Sequence, residues 1–118
     1  MNVLPLTRET RGLLDRNLFA ALPKGAFVIN MGRGAHVVDH ALLAALESGQ
    51  LAGAALDVFN TEPLPAEHPY WLHPRVHMTP HMAGYTNPRT ASPGVIENIK
   101  RLRAGQPLIN TVDPKTGY

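Results

Sequence analysis

Three side chains with distinct chemistry stand just past the ends of short apolar runs in this sequence. They are the guanidinium of Arg33, the carboxylate of Glu62 and the imidazole of His81. Because Gly32 and Gly34 flank the arginine, we expect a sharp turn that lets the backbone approach a ligand closely. A guanidinium there can grip a carboxylate through two hydrogen bonds, each worth about 1.5–3 kcal/mol. Taken singly, each residue also fits a plainer role: a surface arginine, a solvated Glu-Pro loop, or a structural histidine.

Alternating strands and helices are predicted to bring these side chains together. Helices are expected between the first and second strands, between the second and third, and after the last; the strands are expected over residues 2–6, 26–29, 53–59 and 76–79. The continuous apolar run 26–29 is typical of a parallel strand covered on both faces. This order predicts an α/β fold with a parallel sheet, in which ligands bind outside the carboxyl ends of the strands. We therefore expect the three side chains to lie at one sheet edge.

Capping residues predict where the helices begin and end. Asp15 is expected to cap the first helix and Asp39 the second, with Gly49 just past the end of the second. The start of the last helix is open, because both Asn87-Pro88 and Ser92-Pro93 place a capping side chain before a proline.

Composition narrows the class of protein. The chain has 118 residues, of which 44% are hydrophobic and 17% charged, as is typical of one soluble globular domain. It contains no cysteine, which excludes disulfides and thiolate zinc sites. The net charge of +2 comes from scattered basic residues, so we expect no nucleic-acid partner. There is no apolar run of transmembrane length and no signal-peptide pattern, so we expect no membrane association and a cytoplasmic location.

The histidines raise a metal site as an alternative. His73, His77 and His81 recur every four residues, a spacing that aligns side chains on a helix. Pro74 and Pro80 argue against a helix there, so we expect no metal site. The remaining histidines show no metal-ligand spacing that would support one: His36, His40 and His68.

Two other residues have competing interpretations. Asp57 lies within an apolar strand run, where a carboxylate is costly unless it is hydrogen-bonded. It either satisfies neighbouring backbone amides or contacts a ligand at the sheet edge. Trp71 lies in a proline-rich loop, and we expect it to anchor that loop rather than to bind substrate.

The motifs, taken together and in order, resemble a known family. The sequence contains Ile29-Asn30-x-x-Arg33-Gly34, then Leu56-Asp57-Val58-Phe59-x-x-Glu62-Pro63, then Thr79-Pro80-His81-x-Ala83. This set resembles the D-isomer-specific 2-hydroxyacid dehydrogenases over essentially the whole chain. Within that family it is most similar to the glyoxylate/hydroxypyruvate reductase A branch, through Gly34-Ala35-His36-Val37-Val38, Glu62-Pro63-Leu64-Pro65 and the ending Gly117-Tyr118.

The resemblance implies a role for each strand-end residue. Arg33 would bind the carboxylate of a 2-keto acid and help to polarise its carbonyl group. His81 would protonate the carbonyl oxygen as hydride arrives, and Glu62 would orient His81. The residue types suit this chemistry, because reducing a ketone puts negative charge on oxygen and an imidazolium can neutralise it. A neighbouring carboxylate favours the protonated imidazole.

The hydride donor implied by the resemblance is NADP or NAD. The family's cofactor contacts fall on Leu4, Pro5, Thr10, Met31, Gly32, Arg33 and Asp57. Asp57 would meet the nicotinamide carboxamide. Gly32 stands where family members often carry a different small residue, and we expect a looser turn there. The implied substrate is a 2-keto acid of the glyoxylate or hydroxypyruvate type, and the full-length protein is implied to be a homodimer.

The resemblance also implies that this chain is one part of such an enzyme. The family's Gly-x-Gly-x-x-Gly turn is absent from the 118 residues. Residues 1–84 would be the C-terminal half of a Rossmann-type, doubly wound NAD(P)-binding domain, and residues 85–118 the return helix and tail of the substrate domain. Because Ser92-Pro93-Gly94 interrupts a helix that is often continuous, we expect that helix to start late or kink. We expect the 118 residues alone to be inactive. The alternative function is a non-catalytic cofactor-binding or regulatory module.

Overall fold

Three parallel strands form the sheet within the described residues, which in this computed structural model are 1–113 and 115. Strand β1 is Ala26–Asn30, β2 is Leu51–Leu56 and β3 is Val76–Met78, in the order β1-β2-β3. The register pairs Asn30 with Leu56 and Leu56 with Met78. The three strands therefore end level with one another at one edge of the sheet. This arrangement confirms the α/β fold with a parallel sheet.

Two helices precede β1 and β2. Helix α1 is Arg16–Ala21, and the Asp15 side chain caps it by accepting a 2.9 Å hydrogen bond from the Leu18 N–H, as predicted. Helix α2 is Asp39–Glu47. The prediction that Asp39 caps it is wrong: Val38 occupies the cap position, because the Asp39 carboxylate is bonded to side chains outside the helix.

The core lies on one face of the sheet. Phe19, Leu42 and Leu46 are almost completely buried there, and burying each such side chain contributes about 1.5–3 kcal/mol. Successive residues of a strand point to opposite faces. In β1, Val28 is buried whereas Phe27 is 71% exposed, so the prediction of a strand covered on both faces is wrong for this chain.

The predicted strand at residues 2–6 is also wrong beyond its first residue. Asn2 forms an isolated parallel bridge with Asn30, at the outer side of β1. Pairing stops there because the Leu4 N–H donates to the Asn2 side chain at 3.2 Å and Pro5 has no N–H to donate.

The chain divides into two compact units, Met1–Ala83 and Gly84–Tyr118. The second contains helix α3, Pro88–Arg103, which the Asn87 side chain caps by accepting a 3.0 Å hydrogen bond from the Arg89 N–H. The helix thus begins at the first of the two candidate positions and continues through Pro93, so the expected late start is wrong. Its apolar residues are 47–69% exposed: Val95, Ile96, Ile99 and Leu102. The ending Gly117-Tyr118 lies outside the described residues.

Candidate active site

The Arg33 turn follows β1, and two fully buried side chains hold its backbone. The Asn30 side-chain amide donates to the Arg33 carbonyl at 3.0 Å, and the Arg33 N–H donates to His36 Nδ1 at 3.1 Å. The Arg33 side chain itself is exposed, and its Nη1 donates to the Gly32 carbonyl at 2.7 Å. The turn therefore presents a guanidinium to solvent from an immobilised backbone.

The two glycines of this turn are needed for close packing of the chain on itself. A Cβ atom on Gly34 would overlap the carbonyl group of Phe59, and one on Gly32 would lie 2.9 Å from the Leu4 carbonyl oxygen. The positive-φ glycines are elsewhere in the chain: Gly12, Gly25, Gly49 and Gly105. Gly32 and Gly34 are not among them, and the close packing makes the expectation of a loose turn at Gly32 wrong. Close approach of a ligand to these glycines stays a prediction.

Glu62 and His81 lie in direct contact after β2 and β3. Glu62 Oε2 is 2.8 Å from His81 Nδ1, while Glu62 Oε1 accepts a 2.9 Å hydrogen bond from the Phe59 N–H. The bond to His81, followed by that from Phe59, lowers the pKa of Glu62 and keeps it a carboxylate. With Nδ1 engaged, Nε2 is the nitrogen of His81 left for a ligand, on a side chain that is 48% exposed.

The loop that carries His81 is held by Asp57. The His81 N–H donates to the Asp57 carbonyl at 2.8 Å. The Asp57 carboxylate accepts hydrogen bonds from the Thr79 hydroxyl at 2.5 Å and from the Met82 and Ala83 N–H groups at 2.9 Å each. These contacts surround His81, whose φ of 51° lies in the left-handed region that non-glycine residues rarely adopt.

The carboxylate of Asp57 stays charged although the residue is only 4% exposed. Burial alone would raise its pKa, but the bonds from Thr79, Met82 and Ala83 outweigh burial, so the pKa of Asp57 is lowered. This is the first of the two competing interpretations, in which Asp57 satisfies neighbouring backbone amides. Its contact with a nicotinamide stays a prediction.

The other predicted cofactor residues gather around the Arg33 turn. The Thr10 hydroxyl donates to the Pro5 carbonyl at 2.8 Å, and the Leu4 carbonyl packs against Gly32. Leu4 is 44% exposed and Met31 38% exposed. The structure thus separates the predicted site into two parts, with Leu4, Pro5, Thr10, Met31 and Gly32 beside Arg33, and Asp57 beside His81.

Gly34 and Asn60 join these two parts. Gly34 packs on the Phe59 backbone, and the Asn60 side-chain amide donates to the Val37 carbonyl at 3.1 Å and to Asp39 at 2.8 Å. The Tyr70 hydroxyl also donates to Asp39, and burial together with that carboxylate raises the pKa of Tyr70. The segment after the Arg33 turn is in this way fixed to the loop that carries Glu62. Sequence reasoning missed these positioning residues, because spacing gives no signal for contacts between distant segments.

A cavity of about 700 Å³ opens beside the Glu62–His81 pair. Leu64, Trp71 and Met78 form much of its apolar wall. Trp71 also donates from its ring nitrogen to the Pro65 carbonyl at 2.8 Å, which anchors the loop as expected.

Among the described residues, no group of three or more histidines, cysteines or carboxylates could hold a metal ion. His77 lies in β3, so the spacing of four between His73, His77 and His81 does not align their side chains. No helix in the described part of the chain is both long and apolar enough to cross a membrane.

Residues 1–83 match the family model for the NAD binding domain of the D-isomer specific 2-hydroxyacid dehydrogenases. The whole chain is 54% identical to glyoxylate/hydroxypyruvate reductase A of Serratia proteamaculans (strain 568) and 52% identical to that of Klebsiella pneumoniae (strain 342). It spans 38% of the length of each of these curated relatives, at their C-terminal end.

Solved structures give the same relationship. A D-isomer specific 2-hydroxyacid dehydrogenase from Xanthobacter autotrophicus Py2, in complex with NADPH and MES, superposes with a TM-score of 0.90 at 52% identity, over 98% of this chain and 48% of that one. An NADPH-dependent glyoxylate/hydroxypyruvate reductase from Sinorhizobium meliloti, in complex with NADP and sulfate, gives a TM-score of 0.87 at 45% identity, over 98% and 38%. With a parallel sheet, a strand-edge site and a family match over residues 1–83, this chain belongs to the D-isomer specific 2-hydroxyacid dehydrogenase family.

Proposed function

We propose that this chain supplies the C-terminal part of an NAD(P)H-dependent reductase of 2-keto acids, with glyoxylate or hydroxypyruvate as substrate. The observation that carries the proposal is the 2.8 Å contact between Glu62 and His81 at the sheet edge that also bears Arg33. An acid–base pair and an exposed guanidinium with donors left for a ligand are what the reduction of an anionic ketone needs. The similarity to glyoxylate/hydroxypyruvate reductases supports the choice of substrate.

His81 is the proposed proton donor. Because Glu62 accepts from Nδ1, the proton on Nε2 is the one available to the carbonyl oxygen of the substrate. Through this contact Glu62 keeps the ring oriented during the transfer. The negative charge that develops on the oxygen is thus neutralised by a proton held in place.

Arg33 is the proposed carboxylate clamp. Its Nη1 already donates to the Gly32 carbonyl, which orients the guanidinium and leaves its other donors for the two carboxylate oxygens of the substrate. Asn30 and His36 already fix the Arg33 backbone, so binding of the substrate does not carry the entropic cost of ordering this turn.

The residues present fit the nicotinamide part of a cofactor. Leu4 and Met31 offer exposed apolar surface beside Gly32, where a flat ring can pack. A carboxylate has about four acceptor positions, and the three bonds to Asp57 leave one for a carboxamide N–H. When bound, NADPH or NADH supplies the hydride. The proposed cofactor set is Leu4, Pro5, Thr10, Met31, Gly32, Arg33 and Asp57. By the same resemblance, we propose that the full-length protein is a cytoplasmic homodimer.

A chimeric enzyme tests these roles. The N-terminal part of the Serratia relative is joined to residues 1–118 in place of its own C-terminal part, and NADPH oxidation is followed with glyoxylate and hydroxypyruvate. His81→Ala should lower kcat by about 10²–10⁴-fold, the usual contribution of a general acid. Arg33→Ala should raise the KM for keto acid by about 10–150-fold, since one charge-assisted bond is worth about 1.5–3 kcal/mol.

Matched controls are His77→Ala and Arg103→Ala, which remove exposed side chains outside the proposed site and should leave both constants unchanged. The unfused 118-residue chain should oxidise no NADPH. A chimera that binds NADPH but turns over neither keto acid would favour the non-catalytic module instead. Near-normal kinetics of His81→Ala would refute the assignment of the proton donor.

A further inference from the structure

His36 is a fully buried imidazole that the proposed reaction does not use. Its relative exposure is 0%, and it lies in the short 3₁₀ helix Gly34–His36 that follows the Arg33 turn. Both ring nitrogens have polar partners. Nδ1 faces the Arg33 N–H at 3.1 Å and the Asn2 side-chain nitrogen at 2.8 Å, whereas Nε2 faces the Pro5 carbonyl oxygen at 3.2 Å.

These partners fix the protonation of the ring. The Arg33 N–H can only donate, so Nδ1 must accept. The orientation of the Asn2 amide agrees, because its oxygen accepts from the Leu4 N–H and its nitrogen donates to the Asn30 side-chain oxygen. The Pro5 carbonyl can only accept, so Nε2 must carry the proton. The buried ring is therefore neutral, with its proton on Nε2.

The two ring nitrogens of His36 contact two different parts of the proposed site, namely the Arg33 backbone and the Pro5 carbonyl. Through Nδ1, His36 holds the backbone of the residue that would bind the substrate carboxylate. Through Nε2, it holds the Pro5 carbonyl, which also accepts from the Thr10 hydroxyl. Pro5 and Thr10 are proposed cofactor contacts. The rigid ring of His36 therefore connects the residue proposed to bind the substrate carboxylate with the segment proposed to bind the cofactor.

We propose that His36 is a positioning residue that sets the spacing between the keto-acid clamp and the cofactor-binding segment, through its neutral Nε2–H tautomer. The kinetic part of this proposal rests on the proposed function, whereas the tautomer does not. An apolar residue of similar size would fill the same space, but it would leave the Arg33 N–H, the Asn2 amide and the Pro5 carbonyl without this partner. The bonds, rather than the volume, are what His36 contributes to the site.

The tautomer is measured on the 118-residue chain by long-range ¹H–¹⁵N NMR of the histidine rings near neutral pH, with His36 assigned by its absence in His36→Asn. We expect an unprotonated Nδ1 and a protonated Nε2. A ring protonated on Nδ1, or on both nitrogens, would overturn the proposal. This measurement needs neither cofactor nor turnover, so its result stands whatever becomes of the proposed function.

The chimeric enzyme tests the positioning role through variants that each keep one bond. Asn reaches the place of Nδ1 and can accept from the Arg33 N–H, whereas Gln reaches the place of Nε2 and can donate to Pro5. His36→Asn should hold the KM for keto acid near that of the parent and raise the KM for NADPH by up to about tenfold. His36→Gln should do the reverse, and His36→Phe, which keeps the volume but neither bond, should raise both.

The control is His40→Asn, which changes an exposed histidine on α2 and should alter neither KM. If all three His36 variants lower the melting temperature while both KM values stay at parent levels, the residue is structural only and the proposal fails. Equal effects of Asn and Gln on the two KM values would also overturn it. An inactive parent chimera would refute the proposed function instead. The NMR measurement of the tautomer would then still test whether His36 accepts from the Arg33 N–H and donates to the Pro5 carbonyl.

Discussion

The Arg33 turn and the His81 loop lie at the same edge of the sheet but are held in place by different physics. Around Arg33, the holding groups are the fully buried side chains of Asn30 and His36. Around His81, the holding group is the charged carboxylate of Asp57, with three hydrogen bonds. One side of the site is fixed by hydrogen bonds from buried side chains and by close packing at Gly34, and the other by the charge of a carboxylate.

The backbone conformations of Arg33 and His81 also differ. Arg33 has an extended φ of −139°, which any residue adopts without strain. His81 has a φ of 51°, and the left-handed conformation costs a non-glycine residue about 1–2 kcal/mol. The bonds made by Asp57 offset that cost. We therefore expect volume changes to disturb the arginine side most and loss of charge to disturb the histidine side most.

The largest effect is expected from adding a single methyl group on the arginine side. In Gly34→Ala, the new Cβ would overlap the Phe59 carbonyl, which is backbone and cannot move aside. Overpacking typically costs about 1–3 kcal/mol, and we expect at least the upper end of that range here. Urea denaturation of the 118-residue chain measures the free energy of unfolding.

Gly53→Ala is the matched control for this methyl group. Its Cβ would lie 2.8 Å from the ring of Phe27 and 3.2 Å from the Arg75 carbonyl oxygen, whereas the Cβ on Gly34 would lie 1.9 Å from the Phe59 carbonyl carbon. The Phe27 ring is 71% exposed and can swing away. We expect a cost below about 1 kcal/mol. If Gly34→Ala is no more destabilising than Gly53→Ala, shape does not fix the arginine side.

The next largest effect is expected from removing the charge of Asp57. Asp57→Asn keeps the size of the side chain but turns one acceptor into a donor that faces the N–H and O–H groups of the His81 loop. Hydrogen bonds to charged groups contribute about 1.5–3 kcal/mol, and we expect a loss of that size in the free energy of unfolding. The same denaturation measurement detects it.

Asp15→Asn makes the same chemical change at a helix cap, where Asn accepts from the Leu18 N–H as well as Asp does. It should therefore leave stability almost unchanged. The pKa of Asp57 is lowered in the folded state, so its contribution is present above the ordinary value of 3.8 and is lost as the pH falls below it. If Asp57→Asn and Asp15→Asn have equal free energies of unfolding, the charge of Asp57 does not hold the His81 loop.

The sequence predicted the features of this site that depend on local pattern. The parallel strands and the cap at Asp15 follow from apolar runs and from one side chain bonding to a backbone three residues away. Asp39 carried the same local signal and was predicted wrongly, because Tyr70 and Asn60 from a distant loop compete for its carboxylate. Local rules fail where distant residues bind the side chain that would have capped the helix.

The same limit explains why the scaffold of the site was not predicted. His36 takes its role from Asn2 and Pro5, and Gly34 takes its role from the Phe59 backbone, none of which is near in the sequence. Arg33, Glu62 and His81 were predicted as reactive residues from their positions just after strands and from motifs that resemble a family. Their supporting contacts are visible only once the strands are placed side by side.

The smallest effect is expected from the exposed Glu62–His81 pair, and it separates charge from shape on the histidine side. The pKa of Glu62 is lowered in the folded state, first by the bond to His81, so the pair stabilises the protein above the ordinary value of 4.5 and less as the pH falls below it. Exposed pairs of this kind contribute about 0.2–1 kcal/mol. Glu62→Gln should therefore lower the free energy of unfolding by that amount near neutral pH, and the difference from the parent should disappear in acid.

A double-mutant cycle with His81→Ala, measured by denaturation across this pH range, gives the coupling energy between Glu62 and His81 directly. A difference that persists unchanged below pH 4.5 would mean that Glu62 acts through its shape, as the arginine side does, and not through its charge.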